Sequence, residues 1–379
     1  MNLLERSIEK NFFKHLKPNK VLILLGARRI GKTSFIQEII KKLKEPVLLL
    51  NGEDADTLSI LQKRSVTNYK RVMGNIKVLI IDEAQKIPEI GQILKLMVDE
   101  LKGIKIIVTG SSMFDLSNLL GEPLTGRSYT FHMFPFAQSE LSKQENLIQT
   151  KAHLEDRLIF GSYPELWQYS SADEKTKYLK ELVNSYLLRD VVAFEGIRNS
   201  SKLLDLLRMI AFQIGKEVSS SELSNNLGIS RTTVDKYLDL LSKVFVIYKV
   251  SAFSRNLRNE ISKGNRWYFC DNGIRNILVS NMNPLSLRND VGELWENYVL
   301  TERIKHQHYN NILVNNYFWR SYQQQEIDWI EEREGKLFTY ELKWNVKRKA
   351  RVPKTFSDSY PNSTFEVINQ ENYLDWIGG

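Results

Sequence analysis

The run Val21-Leu22-Ile23-Leu24-Leu25 leads straight into Gly26-Ala27-Arg28-Arg29-Ile30-Gly31-Lys32-Thr33, a glycine, four residues, then Gly-Lys-Thr. No other feature constrains the chain as strongly. Five apolar residues ending on a glycine suit a strand buried on both faces. Ser34 to Leu43 then carries Phe35, Ile36, Ile39, Ile40 and Leu43 at helical spacing. A loop between such a strand and helix can wrap an anion with backbone N–H groups, provided no Cβ blocks the approach, which accounts for the glycines. The helix N-terminus adds partial positive charge. Gly26, Ala27, Arg28, Arg29, Ile30, Gly31, Lys32, Thr33 and Ser34 are thus the expected phosphate cradle. Lys32 would reach the β- and γ-phosphates and the Thr33 hydroxyl would ligate Mg²⁺, making ATP and Mg²⁺ the expected cofactors. The bland alternative is a glycine-rich turn capping a helix. The flanking strand and helix weigh against it.

A second apolar run, Val78-Leu79-Ile80-Ile81, delivers Asp82 and Glu83 to a strand's C-terminal end. Ligands of open α/β sheets bind there. Asp82 would hold Mg²⁺ through water, and Glu83 would act as general base on the attacking water. A phosphate loop alone could serve a kinase; with an Asp-Glu strand end it favours hydrolysis. The competing reading is two solvated carboxylates opening a loop. Thr109-Gly110-Ser111-Ser112 ends the next expected strand. Ser112 there could touch the γ-phosphate or the lytic water, or the stretch could simply cap the next helix. Arg127, after Gly126, could bring positive charge to the phosphoryl group from its own chain or a neighbouring copy, or be a surface arginine.

Strands at Val47–Leu50 and Ile104–Val108 and a helix at Ile90–Leu101 continue the alternation. That predicts a parallel sheet with helices on both faces over residues 1–145. Residues 146–205 turn helical and aromatic, a lid-like region. Within 206–258, Ser219–Asn226 and Arg231–Leu241 read as a helix-turn-helix around Leu227-Gly228-Ile229-Ser230, with Val244–Val250 as a wing strand, hence a winged helix. Its second helix would expose Arg231, Thr232, Thr233, Asp235, Lys236 and Asp239, two basic and two acidic among them. A strong DNA reader carries more positive charge, so DNA and a protein both stand as expected partners. The stretch 255–258 could meet phosphate instead. Residues 259–379 mix strands and helices again.

The excess of 53 Lys+Arg over 45 Asp+Glu, a formal +8 over 379 residues, is spread along the chain. It permits nucleic-acid contact without demanding it. One cysteine, Cys270, excludes a disulfide framework, and the five histidines lack zinc spacing. No run of 18 apolar residues or signal-like segment occurs, so no membrane partner and a cytoplasmic location are expected.

The loop Gly26–Thr33, the stretch Asp82-Glu83-Ala84-Gln85-Lys86, Thr109–Ser112 and Leu124–Arg127 together resemble predicted ATPases of the AAA superfamily in bacteria and archaea. Phe134-Pro135-Phe136, Glu140-Leu141 and Tyr186-Leu187-Leu188-Arg189-Asp190 extend the resemblance over nearly the whole chain. It implies a P-loop NTPase domain. The last third resembles the C-terminal domain attached to those ATPases, similar to the PD-(D/E)xK nuclease fold. On that resemblance Asp328 and Glu341 would ligate a metal, Lys343 would stabilise charge, and Glu296 would add a helical ligand. Ile327 stands where the fold's eponymous proline would be. Glu-x-Lys on a strand face also occurs without any cleavage. The expected function is Mg²⁺-dependent ATP hydrolysis coupled to conformational change in attached nucleic-acid- or protein-binding modules. The alternatives are an ATP-switched binding module with little turnover and an ATP-regulated nuclease.

Overall fold

The computed structural model describes residues 4–111, 123–184, 200–255, 265–321, 323–348 and 350–378. Ser112, residues 186–190 and residues 256–258 lie outside the described residues. The chain divides into two compact units, one of residues 1–135 with 243–245, the other of 136–242 with 246–379.

The first unit is a parallel five-stranded sheet in the order β2-β3-β4-β1-β5. Its strands are β1 (Lys20–Leu25), β2 (Val47–Asn51), β3 (Val78–Asp82), β4 (Lys105–Gly110) and β5 (Ser128–His132). Both faces are covered, which is why β1 and β3 read as unbroken apolar runs and not as alternating ones. Val21, Ile23 and Leu25 pack on one side with Tyr69 and Met73 of α3 (Val66–Met73) and Ile93, Leu94 and Met97 of α4 (Ile90–Glu100). Leu22 and Leu24, which alternate to the other side, are also fully buried. Phe12 of α1 (Glu9–His15) packs edge-to-face against Phe35 of α2 (Lys32–Lys42) at 5.4 Å and tilted against Phe131 of β5 at 5.2 Å between ring centres. Each such side chain contributes about 1.5–3 kcal/mol by leaving water.

Strand register positions the site. Leu25 pairs with Gly110 on one side and His132 on the other, and Ile81 pairs with Val108. The C-terminal ends of β1, β3 and β4 therefore share one edge, although β4 separates β1 from β3.

The second unit holds a mixed seven-stranded sheet, β12-β11-β10-β9-β7-β8-β6. Its strands are β6 (Glu217–Val218), β7 (Ile247–Ala252), β8 (Asn265–Phe269), β9 (Asn315–Arg320), β10 (Glu326–Arg333), β11 (Lys336–Leu342) and β12 (Thr364–Ile368). Strand β7 pairs antiparallel with β8 and parallel with β9, so the ladder runs unbroken from residues near 217 to residues near 368. Helices Ser200–Phe212, Ser220–Leu227 and Arg231–Lys243 precede β7, and Gly228 ends the second of them at φ 64°. The 19-residue helix Val291–Tyr309 buries Trp295, Tyr298, Val299 and Leu300. The sequence places residues 136–145 with the sheet of the first unit. In the structure they belong to the second, where Glu145 binds Arg157 at 2.5 Å and Gln138 N–H donates to Glu302 at 2.6 Å. No helix among the described residues is long and apolar enough to cross a membrane.

Candidate nucleotide site

The loop after β1 has the backbone its sequence demands. A Cβ on Gly26 would stand 2.3 Å from the Met133 carbonyl oxygen, so only glycine fits. Gly31 takes φ 88° and starts α2 from a left-handed turn. Lys32, 7% exposed, folds its ammonium onto the loop, donating to the Gly26 and Ala27 carbonyls at 2.8 and 2.9 Å. Arg28 is half-buried and Arg29 is exposed.

The two oxygens expected around Mg²⁺ come together from positions 49 residues apart. Thr33 Oγ1 donates to Asp82 Oδ2 at 2.8 Å. Asp82 Oδ1 accepts from the hydroxyl of the fully buried Thr109 and from the Glu83 N–H, the latter at 3.2 Å. Thr109 Oγ1 in turn accepts from the same N–H at 3.2 Å. A hydroxyl beside a clamped carboxylate at a helix N-terminus is an oxygen set that suits Mg²⁺. The glycine-opened loop and the lysine suit a triphosphate.

Glu83 begins the turn after β3 at φ 50° and accepts from Gln85 Nε2 at 2.5 Å. The same amide donates to Ser111 Oγ at 3.2 Å. Gly52, at the end of β2, lies so close that a Cβ would be 2.3 Å from the Glu83 carbonyl oxygen. Gln85 and Thr109 thus hold the carboxylates by direct bonds that local sequence patterns do not reveal.

Arg6 had no sequence signal at all. It is 6% exposed and its guanidinium donates to the Ile30 carbonyl at 3.1 Å and the Phe134 carbonyl at 2.5 Å. It ties the nucleotide loop to the segment after β5. Arg6→Ala strands both carbonyls and should cost the first unit about 3 kcal/mol. Denaturant unfolding of the variant checks this, and an unchanged midpoint would contradict the clamp.

Arg127, which the sequence leaves open between its own chain, a neighbouring copy and a surface role, lies away from the loop of its own chain. It precedes β5, and its backbone carbonyl accepts from Val21 N–H at 2.9 Å, at the N-terminal edge of the sheet. The loop sits at the C-terminal edge, five strand residues or about 16 Å away. Arg127 instead forms a two-point pair with Asp99, Nε to Oδ1 at 2.8 Å and Nη2 to Oδ2 at 3.3 Å. It does not reach the phosphate loop of its own chain.

In the second unit, Glu296 and Asp328 line a cavity of about 650 Å³ together with Arg266, Glu326 and Lys343. Glu341 joins through Lys343, whose ammonium is 2.5 Å from Glu341 and 3.6 Å from Asp328. The sequence resemblance made Glu296, Asp328 and Glu341 metal ligands. Among the described residues, however, no group of three or more carboxylate, histidine or cysteine side chains is placed to hold a metal ion. Lysine and arginine side chains stand among these acids, and the set does not fit a divalent cation.

Burial, and then the charge of Asp328, push Glu296 from its ordinary 4.5 up to about 8, against the pull of Arg266, the Tyr268 hydroxyl and Lys343. Burial and Asp328 raise Glu341 as well. Between those two Glu296 values the folded chain keeps a proton that the unfolded chain has released, so raising the pH through this window costs stability. The slope is at most about 1.4 kcal/mol per pH unit. Glu296→Gln should flatten it, which urea midpoints between about pH 5 and pH 8 will show. An equal slope in both proteins would place the proton elsewhere.

Residues 18–142 match a family model described as an AAA domain. Residues 151–286 and 291–374 match two models each described as a domain of unknown function, DUF8612 and DUF4143 respectively. The chain is 26% identical over 376 residues to the uncharacterized protein MJ1544 of Methanocaldococcus jannaschii, covering 93% of this chain and 82% of the relative. It is 24% identical over 330 residues to the uncharacterized protein Rv2008c of Mycobacterium tuberculosis, covering 85% of this chain and 70% of the relative. Among solved structures, the RuvB Holliday junction branch migration motor of Thermotoga maritima aligns with TM-score 0.31 at 16% identity, over 64% of this chain and 88% of that one. That overlay is too loose to bear on function. Residues 18–142 thus resemble an AAA domain and carry a parallel five-stranded sheet, and the regions that follow in the chain match two models of domains of unknown function.

Proposed function

We propose that the chain is a Mg²⁺-dependent ATPase that uses turnover to change the state of its second unit. The observation that carries this reading is the convergence of Thr33 and Asp82 at 2.8 Å beside a glycine-opened loop and a buried lysine. ATP reacts with water to give ADP and phosphate. Bound Mg²⁺, held by Thr33 and Asp82, would neutralise charge on the phosphate oxygens. Lys32 leaves the Gly26 and Ala27 carbonyls for the β- and γ-phosphates and offsets charge there. Glu83 orients the attacking water and takes its proton. Gln85 positions Glu83 and ties it to Ser111 at the end of β4.

In the second unit, helices Ser200–Phe212, Ser220–Leu227 and Arg231–Lys243 with strands β6, β7 and β8 follow the order of a winged helix. Its second motif helix exposes Arg231 and Lys236 beside Asp235 and Asp239, and Arg231 stands 3.8 Å from Asp235. So balanced a face supports a protein partner better than a phosphate backbone. The test is phosphate release from ATP by the full chain, with and without Mg²⁺ and with and without duplex DNA. Release that ignores Mg²⁺, or none, refutes the ATPase; strong stimulation by DNA replaces the protein partner with nucleic acid.

A further inference from the structure

Arg266 stands on β8 and is 4% exposed. Its guanidinium lies 4.5 Å from the centre of the Phe318 ring, within cation–π range. It donates to Glu326 Oε2 at 2.7 Å and stands 4.0 Å from Asp328 Oδ1. Lys343 approaches the other Asp328 oxygen at 3.6 Å, and that oxygen also accepts the Leu342 N–H at 2.9 Å. Asp328 therefore faces a cation on each oxygen. Glu341 is bound by Lys343 at 2.5 Å, and Glu296 accepts from the Tyr268 hydroxyl at 2.6 Å. Glu296, Glu326, Asp328 and Glu341 thus each have a donor from the protein, while Glu293 also lines the cavity.

A small divalent cation needs several free oxygens in near-octahedral array. A fixed positive charge among those oxygens opposes it, because like charges a few ångströms apart repel strongly where little water screens them. Here Arg266 and Lys343 set two such charges at the oxygens of Asp328. An arginine is well suited to the opposite role. Its planar fork is always charged, can face two carboxylates at once, and here is pinned on an aromatic ring so that it cannot easily swing away.

We infer that Arg266 is the resident cation of this cavity and takes the place of a divalent metal among Glu296, Glu326 and Asp328. The second unit then uses these carboxylates to lock β8 to β10, and does not cut phosphodiesters through a metal-activated water. Removing the guanidinium should open a divalent-cation site that the native chain lacks.

The experiment is titration of the full chain with Mn²⁺, without nucleotide, following the free ion by electron paramagnetic resonance. Asp82→Asn is present throughout, to silence the first unit's carboxylate. That parent chain should show no saturable Mn²⁺ binding. Arg266→Gln should add one site, ~10-fold or more tighter than any binding by the parent. Asp328→Asn placed on top should abolish the new site, and Arg266→Lys, which keeps the charge, should gain none. The inference is overturned if the parent binds Mn²⁺ at a site that Asp328→Asn removes, or if folded Arg266→Gln gains nothing. Should Arg266→Gln fail to fold by circular dichroism, the parent and its Asp328→Asn derivative still decide between a resident arginine and a metal site.

Discussion

Glu83→Gln is expected to leave a chain that binds ATP normally and turns it over about 10²–10⁴-fold more slowly. The substitution keeps the size and the hydrogen-bonding reach of the side chain but removes its capacity to take a proton. Glu83 has little part in holding the fold. Its backbone N–H is bound by Asp82 and Thr109, and those bonds survive the change. Its carboxylate accepts from Gln85 at 2.5 Å, and an amide can still accept that bond. The loss should therefore fall on kcat, with the KM for ATP nearly unchanged. Phosphate release under saturating ATP, paired with equilibrium binding of a fluorescent ATP analogue, separates the two quantities. Undiminished turnover would remove Glu83 from the chemistry and with it the hydrolytic reading of the strand end.

Lys32→Ala should affect both quantities. Turnover should fall by about 10²–10³-fold or more, as when one fixed donor to a reacting oxygen is lost, and ATP should bind more weakly. The ammonium lies against the loop's own backbone, donating to the Gly26 and Ala27 carbonyls. A lysine parked on two carbonyls is exchangeable: phosphate oxygens carry full charge and outcompete neutral carbonyls for it. Alanine leaves those carbonyls to water and the phosphates without their counter-charge. Because Lys32 is buried, thermal unfolding of the variant must be measured alongside. A folded variant with native turnover would sink the assignment of the loop.

Together the two variants distinguish an enzyme from a switch. If Glu83→Gln and the native chain both bind ATP and both turn over slowly, nucleotide acts as a bound signal, and Asp82-Glu83 serves affinity more than chemistry. If only the variant is slow, the first unit is a true hydrolase.

Much of the first unit was legible because its determinants are contiguous. A phosphate loop is built from eight neighbouring residues, and its glycines are required by backbone geometry over that short span. Buried parallel strands announce themselves as unbroken apolar runs, since both faces must leave water. The helices Ser220–Leu227 and Arg231–Lys243 were legible for a similar reason: helical periodicity on either side of Gly228, which takes φ 64°. The site's supports were hidden. Arg6 and Ile30 are 24 positions apart, and Gln85 and Ser111 are 26 apart. Nothing local marks either pair.

The sequence by itself determined the glycine loop Gly26–Thr33, the acidic strand end and the alternation of elements, because each is set by neighbours within a turn of helix or a length of strand. Tertiary structure alone decided what those parts meet. Insertion of β4 between β1 and β3 brings Thr109 onto Asp82, and Asp82 onto Thr33. The direction of β5 sends Arg127 to the far edge, where it pairs with Asp99. Pairing of β8 in the seven-stranded sheet sets Arg266 4.0 Å from Asp328, a carboxylate that the family resemblance assigns to a metal. Strand order and direction are fixed by burial summed over the whole unit, a quantity no local pattern carries.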